Sequence, residues 1–348
     1  MSGLSVALAF LQRGHRVTVL DRGETGGESS WAGGGILSPL LPWDYPGPVS
    51  TLALRSMTGY ADWVANIEAQ SERVAEYWRC GMRVIETAQP DAALAWCKAH
   101  ALTAQLEHTH TENSLCLPDV AQVRNPRLVA ALRETIVRMG GTIHTHCAVT
   151  TAMSQAGQMN AVRTEQGTFS ADQFVLATGA WAGVALPGLA GMPSVRPIRG
   201  QMLLFKLEPG VLDTILYRNG LYLIPRRDGH VLVGSTLEDA GFDKSINSAA
   251  LKLLHSAAAE LLPVLGSMQP IQHWAGLRPG SPDNIPIIDR HPDFRNVFVN
   301  TGHYRYGVTM APASAELLVD LMEGRTPALD PTPYSWNAAS MRTWTGTV

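Results

Sequence analysis

The chain has 348 residues, of which 45% are hydrophobic and 16% are charged. That length and hydrophobic content suffice for one large globular unit or two interlocked domains, and they exclude an intrinsically disordered chain. The formal net charge is −3, with acidic and basic residues intermixed, so no basic stripe is available to follow a phosphate backbone. We therefore expect no nucleic-acid partner.

Cysteines and histidines offer no pattern typical of a metal site. The four cysteines are far apart in the sequence: Cys80, Cys97, Cys116 and Cys147. Without a Cys-x-x-Cys pair, they are typical of free thiols in a reducing cytoplasm. Two His-x-His pairs, His108/His110 and His144/His146, have no evident third ligand, so we predict no metal.

The longest apolar run near the start, residues 6–11, is too short for a membrane-spanning helix. It also lacks the preceding basic region and the cleavage site of a signal peptide, because Arg13, His15 and Arg16 come after it. We predict a cytoplasmic protein without a membrane span.

The first elements have the pattern of half a nucleotide-binding unit. Residues 4–13 predict a helix, and residues 16–20 predict a short strand that ends at Asp21. In such units a glycine-rich turn opens the helix, and an acid about 20 positions later binds the ribose hydroxyls. Gly3 and Asp21 fit the last glycine and that acid.

The first strand of this unit and the first two glycines of the motif Gly-x-Gly-x-x-Gly are missing before Gly3. A central parallel strand pairs on both sides, so its loss would leave neighbouring ladders unpaired. We hypothesise that Met1 is internal to a longer turn, with about ten or more residues upstream in the natural protein. An in-frame stop codon just upstream of Met1 would contradict this hypothesis.

Residues 26–36 form a loop of small residues whose backbone can approach a ligand closely. A flexible linker is the alternative, but the loop follows the ribose-binding acid directly rather than joining two domains. Helical patterns fill roughly 50–100 and 125–139, and a strand is predicted over 142–150. Residues 173–179 form an apolar strand that runs into Thr-Gly, where backbone amides can meet a phosphate or flavin edge.

From about 195 to 240 the pattern changes to period two, which predicts an antiparallel sheet without helical crossovers. Residues 249–262 return to helix, 294–300 to strand and 311–322 to an apolar helix. The expected fold class is therefore mixed α/β (α+β), with a nucleotide-binding half that is interrupted and then resumed.

Three segments carry a resemblance to a known family: residues 274–283, residues 301–308, and residues 221–229 with 234–236. From Gly3 to about residue 330, the chain resembles the FAD-dependent glycine oxidases of thiamine biosynthesis, within the D-amino-acid oxidase and sarcosine oxidase superfamily. The joint pattern Ala-Gly-Leu-Arg-Pro-Gly, then Thr-Gly-His-x-Arg-x-Gly, is long enough to be specific. The resemblance implies a Rossmann-like FAD-binding domain (1–45, 120–190 and 285–330) and an inserted antiparallel-sheet substrate domain (46–119 and 191–284).

For the substrate, the resemblance implies that Arg278 binds the carboxylate, assisted by the hydroxyl of Tyr222, and that Arg305 is a second substrate-side arginine. A guanidinium suits this role because it makes two parallel charge-assisted bonds that fix the pose of the Cα hydrogen. Ordinary surface salt bridging is the alternative for both arginines. Gly220 and Leu237 stand where some relatives carry histidine and methionine, which leaves side-chain preference open.

The resemblance also implies a set of FAD-binding positions: Gly3, Asp21, Arg22, Ser29, Ser30, Gly34, Gly35, Ile36, Val149, Thr178, Gly179, His303, Tyr304, Arg305, Tyr306, Gly307, Val308 and Thr309. Sarcosine oxidases tether their flavin to a cysteine in the C-terminal half. The last cysteine here is Cys147, so the FAD should be noncovalent. No paired carboxylates or Ser-His-Asp set accompany these motifs, so no dedicated catalytic base is expected.

The implied reaction oxidises glycine or another small amino acid by hydride transfer to flavin, with molecular oxygen as acceptor. Its products are an imine or 2-oxo acid, ammonia and hydrogen peroxide. The branch also implies a homo-oligomer, often a tetramer. Two alternatives stay open: a D-amino-acid dehydrogenase that reduces a quinone, and a truncated homologue without catalytic activity.

Overall fold

The computed structural model describes residues 1–38, 41–108, 113–189 and 191–344. Its helices are α1 (Ser2–Gln12), α2 (Ser29–Ala32), α3 (Gly47–Ser71), α4 (Pro90–Ala99), α5 (Asn125–Arg138), α6 (Ser248–Leu261), α7 (Gly307–Met322) and α8 (Trp336–Met341). The strands up to residue 176 are β1 (Thr18–Leu20), β2 (Ile36–Leu37), β3 (Trp78–Arg79), β4 (Met82–Ile85), β5 (Gln105–His108), β6 (Asn113–Leu117), β7 (Ala121–Gln122), β8 (Thr142–His144), β9 (Val149–Gln155), β10 (Gln158–Thr164), β11 (Gly167–Ser170) and β12 (Phe174–Leu176). The later strands are β13 (Arg196–Lys206), β14 (Ile215–Arg218), β15 (Leu221–Pro225), β16 (His230–Gly234), β17 (Gln272–Gly280), β18 (Ile287–Arg290) and β19 (Val297–Thr301).

The mixed α/β fold class is confirmed, and its largest element is an eight-stranded sheet. The strand order is β17-β13-β16-β15-β14-β4-β6-β5, and every pairing is antiparallel except that of β14 with β4. Strand alternation gives this sheet two different faces. Leu203, Leu223 and Val233 pack under α6, whereas Met202 and Tyr222 belong to the opposite face. The second face carries the candidate site.

The parallel strands form a second region. β1 pairs in parallel with β8, and β12 pairs in parallel with β19, which is bordered by antiparallel β18. Within the described residues no strand joins β1 to β12, so these strands form separate sheets. Helices α1, α5 and α7 pack here, and α1 buries Leu4, Ala7 and Leu8. The hypothesis of an upstream strand stays a prediction.

Two local predictions were wrong. The helical interpretation of residues 50–100 missed β3 and β4, whose few residues gain their stability from pairing with β7, β6 and β14. The strand predicted over 142–150 is divided into β8 and β9, because the backbone turns at His146 (φ 50°). There the amides of His146 and Cys147 bond instead to the carbonyls of Gly23 and Asp21.

The histidine pairs make other contacts in the structure. His110 lies outside the described residues, while His144 packs edge-on against Phe169 and His146 pairs with Glu24 at 3.1 Å. The part of the chain that is described contains no group of three or more potential metal ligands. Its helices are likewise all too short or too polar to cross a membrane.

Candidate FAD and substrate site

One cleft lies between the two regions and has about 1090 Å³ of empty space, part of which is open to solvent. Its lining includes most of the predicted positions: Ser29, Ser30, Gly34, Gly35, Ile36, Gly179, Tyr222, Arg278, His303, Tyr304, Arg305, Tyr306, Gly307 and Val308. Residues that are far apart in the sequence therefore converge on one space. The start of α1 and the strand ends lie on one side, and the eight-stranded sheet lies on the other.

Glycines shape the wall of this cleft. A Cβ on Gly34 would lie 2.4 Å from Cδ1 of Ile224, so a side chain there would displace the buried side chain of Ile224. Gly35 has φ +80°, and its Cβ would lie 2.1 Å from the carbonyl of Val123. Such close approach and positive φ require glycine. The small-residue loop is therefore a built wall of the site rather than a linker.

Three contacts hold this loop in place. The amide of Val123 donates to the carbonyl of Gly35 at 2.9 Å, and the hydroxyl of Thr309 donates to the carbonyl of Ile36 at 3.0 Å. The guanidinium of Arg226 donates to the carbonyl of Gly34 at 2.8 Å. Burial, reinforced by the nearby charge of Arg124, lowers the pKa of Arg226 to about 10. The loop is thus bonded from both regions.

Six predicted cofactor positions do not line the cleft: Gly3, Asp21, Arg22, Val149, Thr178 and Thr309. Gly3 has a packing role, since a Cβ there would lie 3.2 Å from Ala177 at the end of β12. Arg22 stacks on Trp181, with its Cζ 3.5 Å from the ring centroid, and pairs with Glu28 at 3.2 Å. Direct contact of these six residues with FAD stays a prediction.

Arg278 lies on β17 with its guanidinium packed against the backbone of Gly200, where a Cβ would be 2.1 Å from Nη2. Its Nη1 donates to the carbonyls of Arg199 and Thr236 at 3.2 and 3.3 Å. Its Nη2 donates to Oγ of Ser235 at 2.6 Å. Burial lowers the pKa of Arg278, although the side chain remains a cation at neutral pH.

Tyr222 and Arg305 complete the polar end of the cleft. Tyr222 donates from its hydroxyl to Oγ of Ser235 at 3.1 Å. Burial by itself would lower the pKa of Arg305. The combined electrostatic effect of four neighbouring tyrosines is larger than that of burial and raises the pKa. They are Tyr306, Tyr222, Tyr45 and Tyr304.

The salt-bridge interpretation of the two arginines fails for the described residues, in which no carboxylate lies within 4.0 Å of the guanidinium of Arg278 or Arg305. Two unpaired cations at the end of one cleft favour an anionic ligand. The arrangement suits a molecule with a carboxylate at this end. Binding a carboxylate to these cations involves no proton transfer, so it needs no general base.

Several residues of this site were not predicted from the sequence. Asn125 and Asn300 line the cleft, and the amide nitrogen and oxygen of both are buried without a partner among the described residues. Ser235 does not line the cleft itself, but it is the shared acceptor of two side chains that do, Arg278 and Tyr222. The sequence contains Asn-Pro at the start of α5 and Gly-Ser-Thr from the last residue of β16 onwards. Neither motif shows by itself what its side chains contact.

These features fit FAD. The glycine wall and the start of α1 suit a long dinucleotide that passes close to backbone. A buried polar group without a partner costs about 1–3 kcal/mol, so the amide groups of Asn125 and Asn300 are suited to a polar ligand. Ser29, Ser30, Gly34, Gly35 and Gly179 would hold the cofactor together with the 303–308 loop.

Comparison with known proteins agrees with this geometry. The family model described as DAO, FAD dependent oxidoreductase, matches residues 1–321. The chain belongs to this family of oxidoreductases, and its cofactor is FAD.

Two relatives and one solved structure show which kinds of protein this chain is similar to. The glycine oxidase of Pseudomonas aeruginosa is 40% identical over 346 residues, covering 96% of this chain and 95% of that protein. The bifunctional protein ThiO/ThiG of a Synechocystis species is 33% identical over 92% of this chain and 49% of its own length. The crystal structure of glycine oxidase from Geobacillus kaustophilus shares the fold, with a TM-score of 0.89 at 24% identity over 96% of this chain and 95% of that one.

Proposed function

We propose that the chain is an FAD-dependent oxidase of glycine or another small amino acid, serving the thiazole branch of thiamine biosynthesis. The observation that carries this proposal is the position of Arg278, a partly buried arginine without a carboxylate partner among the described residues, in the cleft beside Tyr222. The 40% identity to a glycine oxidase supports the choice of substrate.

In this proposal the chain acts mainly by orientation and electrostatics. Arg278 binds the substrate carboxylate, Tyr222 adds a hydroxyl donor, and Arg305 adds positive charge. Burial lowers the pKa of His303 to about 3, so this residue is neutral and contributes no charge at neutral pH. When bound, FAD supplies the redox chemistry, accepting a hydride from Cα and passing electrons to oxygen. The substrate amine enters neutral, which removes the need for a base.

Most of the sheets support the proposed domain division. All strands of the eight-stranded sheet fall within residues 46–119 and 191–284, and the parallel pairs β1–β8 and β12–β19 fall within 1–45, 120–190 and 285–330. The small sheet β2-β7-β3 crosses the division, because β3 belongs to the inserted part. We also propose a cytoplasmic location, since the cysteines are free in the described residues. We further propose a homo-oligomer, of which a tetramer is the form that the family resemblance implies.

The test is the visible absorption spectrum of the purified protein before and after anaerobic addition of glycine. Flavin bands that bleach with glycine, with hydrogen peroxide formed once air is admitted, are expected. Bands that stay oxidised would contradict glycine as substrate. Reoxidation by a quinone but not by oxygen would favour the dehydrogenase alternative, and a protein that cannot take up FAD would favour the non-catalytic one.

Arg278→Lys tests the residue that carries the proposal. Lysine keeps the positive charge but lacks the planar fork that meets both carboxylate oxygens. We expect KM for glycine to rise at least tenfold, with FAD still bound. An unchanged KM would contradict the assigned role of Arg278.

A further inference from the structure

Ser235 lies where the two predicted carboxylate-binding side chains meet. It directly follows Gly234, the last residue of β16, and its Oγ accepts from Nη2 of Arg278 at 2.6 Å. The same Oγ accepts from the hydroxyl of Tyr222 at 3.1 Å. Arg278 belongs to β17 and Tyr222 to β15, so a single hydroxyl joins side chains from two strands.

The hydrogen-bonding capacity of Ser235 is only partly used. A serine hydroxyl has two acceptor lone pairs and one donor hydrogen. Arg278 and Tyr222 occupy the two lone pairs, and no acceptor for the hydrogen is found among the described residues. Both acceptor positions of this hydroxyl therefore serve to hold Arg278 and Tyr222.

Arg278 is left with free donors in the same place. Of the five N–H groups of a guanidinium, two on Nη1 bind the carbonyls of Arg199 and Thr236, and one on Nη2 binds Ser235. These bonds do not use the Nε hydrogen or the second Nη2 hydrogen, and the side chain of Tyr222 is a further hydrogen-bond partner of Arg278. A carboxylate oxygen can accept from whichever of these Arg278 donors Tyr222 leaves free.

The segment that carries Ser235 is held firmly against β13. The amide of Gln201 donates to Oγ1 of Thr236 at 2.8 Å, and the backbones of Arg199 and Glu238 exchange bonds of 2.9 and 3.0 Å. A salt bridge of 2.6 Å joins the same Arg199 and Glu238 side chains. Ser235 is therefore fixed before any ligand binds, as an orienting group must be.

We propose that Ser235 is a positioning residue for the substrate carboxylate. It holds Arg278 and Tyr222 in a common pose, so that both side chains can bind the carboxylate. The ligand class is an α-amino carboxylate, so the inference rests on the proposed function. It adds a third side chain to the predicted pair of Arg278 and Tyr222.

The experiment compares Ser235→Ala and Ser235→Thr in the FAD-loaded enzyme. The control is Ser267→Ala, an exposed serine whose hydroxyl bonds to the carbonyl of Val264. Three quantities are measured: the flavin content, the KM and kcat for glycine, and the Kd for acetate from its perturbation of the flavin spectrum. Methylamine, which has no carboxylate, serves as a second substrate.

For Ser235→Ala we expect KM for glycine and Kd for acetate to rise about tenfold, which corresponds to about 1.4 kcal/mol. The kcat for glycine should stay within about threefold and the flavin content should not change, because a positioning group acts on ground-state binding. The KM for methylamine should be unaffected. Ser235→Thr, which keeps a hydroxyl, should recover most of the acetate affinity.

Three results would overturn the proposal. They are acetate and glycine binding within about twofold of the wild type in Ser235→Ala, an equal loss of methylamine binding, and a loss of flavin. The acetate measurement does not depend on turnover. If glycine fails to bleach the wild-type flavin but acetate binding still depends on Ser235, the proposed function fails while this inference holds.

Discussion

Arg226 donates to the carbonyl oxygen of Gly34 over 2.8 Å, so a buried cation of the large sheet holds the glycine wall of the cofactor cleft. The same guanidinium also bonds to the carbonyl of Val123 at 3.0 Å and to the side-chain oxygen of Gln122. No carboxylate among the described residues pairs with it. The stability of the wall therefore depends on a residue outside the predicted FAD-binding positions.

Arg226→Met should weaken FAD binding by about tenfold or more, because it leaves two buried carbonyls and one amide oxygen unpaired, at about 1–3 kcal/mol each. FAD affinity is measured by flavin fluorescence on titration of the FAD-free protein. The control is the neighbouring exposed residue, Arg227→Met, which should bind FAD like the wild type. Equal affinities of both variants would show that the loop does not need this cation.

Gly200→Ala should displace the guanidinium of Arg278, since the new Cβ would lie 2.1–2.4 Å from its atoms. We expect at least a tenfold loss of kcat/KM for glycine, of the order found when a positioned group is shifted. The control is Gly59→Ala within α3, where no atom lies within 4 Å of the new Cβ. That substitution should be neutral or stabilise by about 0.5–1 kcal/mol. Unchanged kinetics in Gly200→Ala would contradict the observed packing.

Asn125→Leu should have opposite effects on the two forms of the protein. Its amide is buried without a partner in the described chain, so an apolar side chain of similar size should leave the FAD-free protein equally stable or more stable. The gain in Tm on adding FAD should shrink, because the polar contact is lost.

The matched control for this prediction is Asn296→Leu. Asn296 is also buried, but its amide bonds to the carbonyls of Met159 and Asp172 at 2.7 and 2.9 Å. It should destabilise both forms while leaving the gain in Tm with FAD unchanged. If Asn125→Leu instead lowers the Tm of the FAD-free protein as Asn296→Leu does, then the Asn125 amide serves the fold and not the cofactor.

His303 should make the stability of the protein depend on pH. Burial lowers its pKa to about 3, from an ordinary value near 6.5 in the unfolded chain. Between these values the unfolded chain binds a proton that the folded chain does not, so the free energy of unfolding falls as pH decreases from about 6.5 towards 3. Above about 6.5 this contribution is constant.

His303→Asn should reduce that dependence. We would measure the free energy of unfolding in urea for both FAD-free proteins at about pH 5 and about pH 7.5. The difference between the two pH values should be smaller in the variant than in the wild type. Identical differences would show that another group is responsible for the loss of stability in acid.

Local pattern was sufficient for many elements of this fold. The period-two segments became β13, β15 and β16, and the amphipathic pattern at 125–139 became α5 (Asn125–Arg138). Both patterns reflect which face of an element is buried, and that information is local. Patterns failed for β3 and β4, because strands of two to four residues are stabilised by partners distant in the sequence.

The sequence by itself determined which residue types form the site, since its motifs contain Arg278, Tyr222 and Arg305. The motifs also contain the glycines that are needed where the backbone approaches its neighbours closely. Only the tertiary structure decided which donors and acceptors meet. Ser235 reaches Arg278 because β16 and β17 both pair with β13, and Arg226 reaches Gly34 although 192 positions separate them. A hydrogen bond depends on the distance between two atoms, and for remote residues that distance is set by strand pairing and packing rather than by local periodicity.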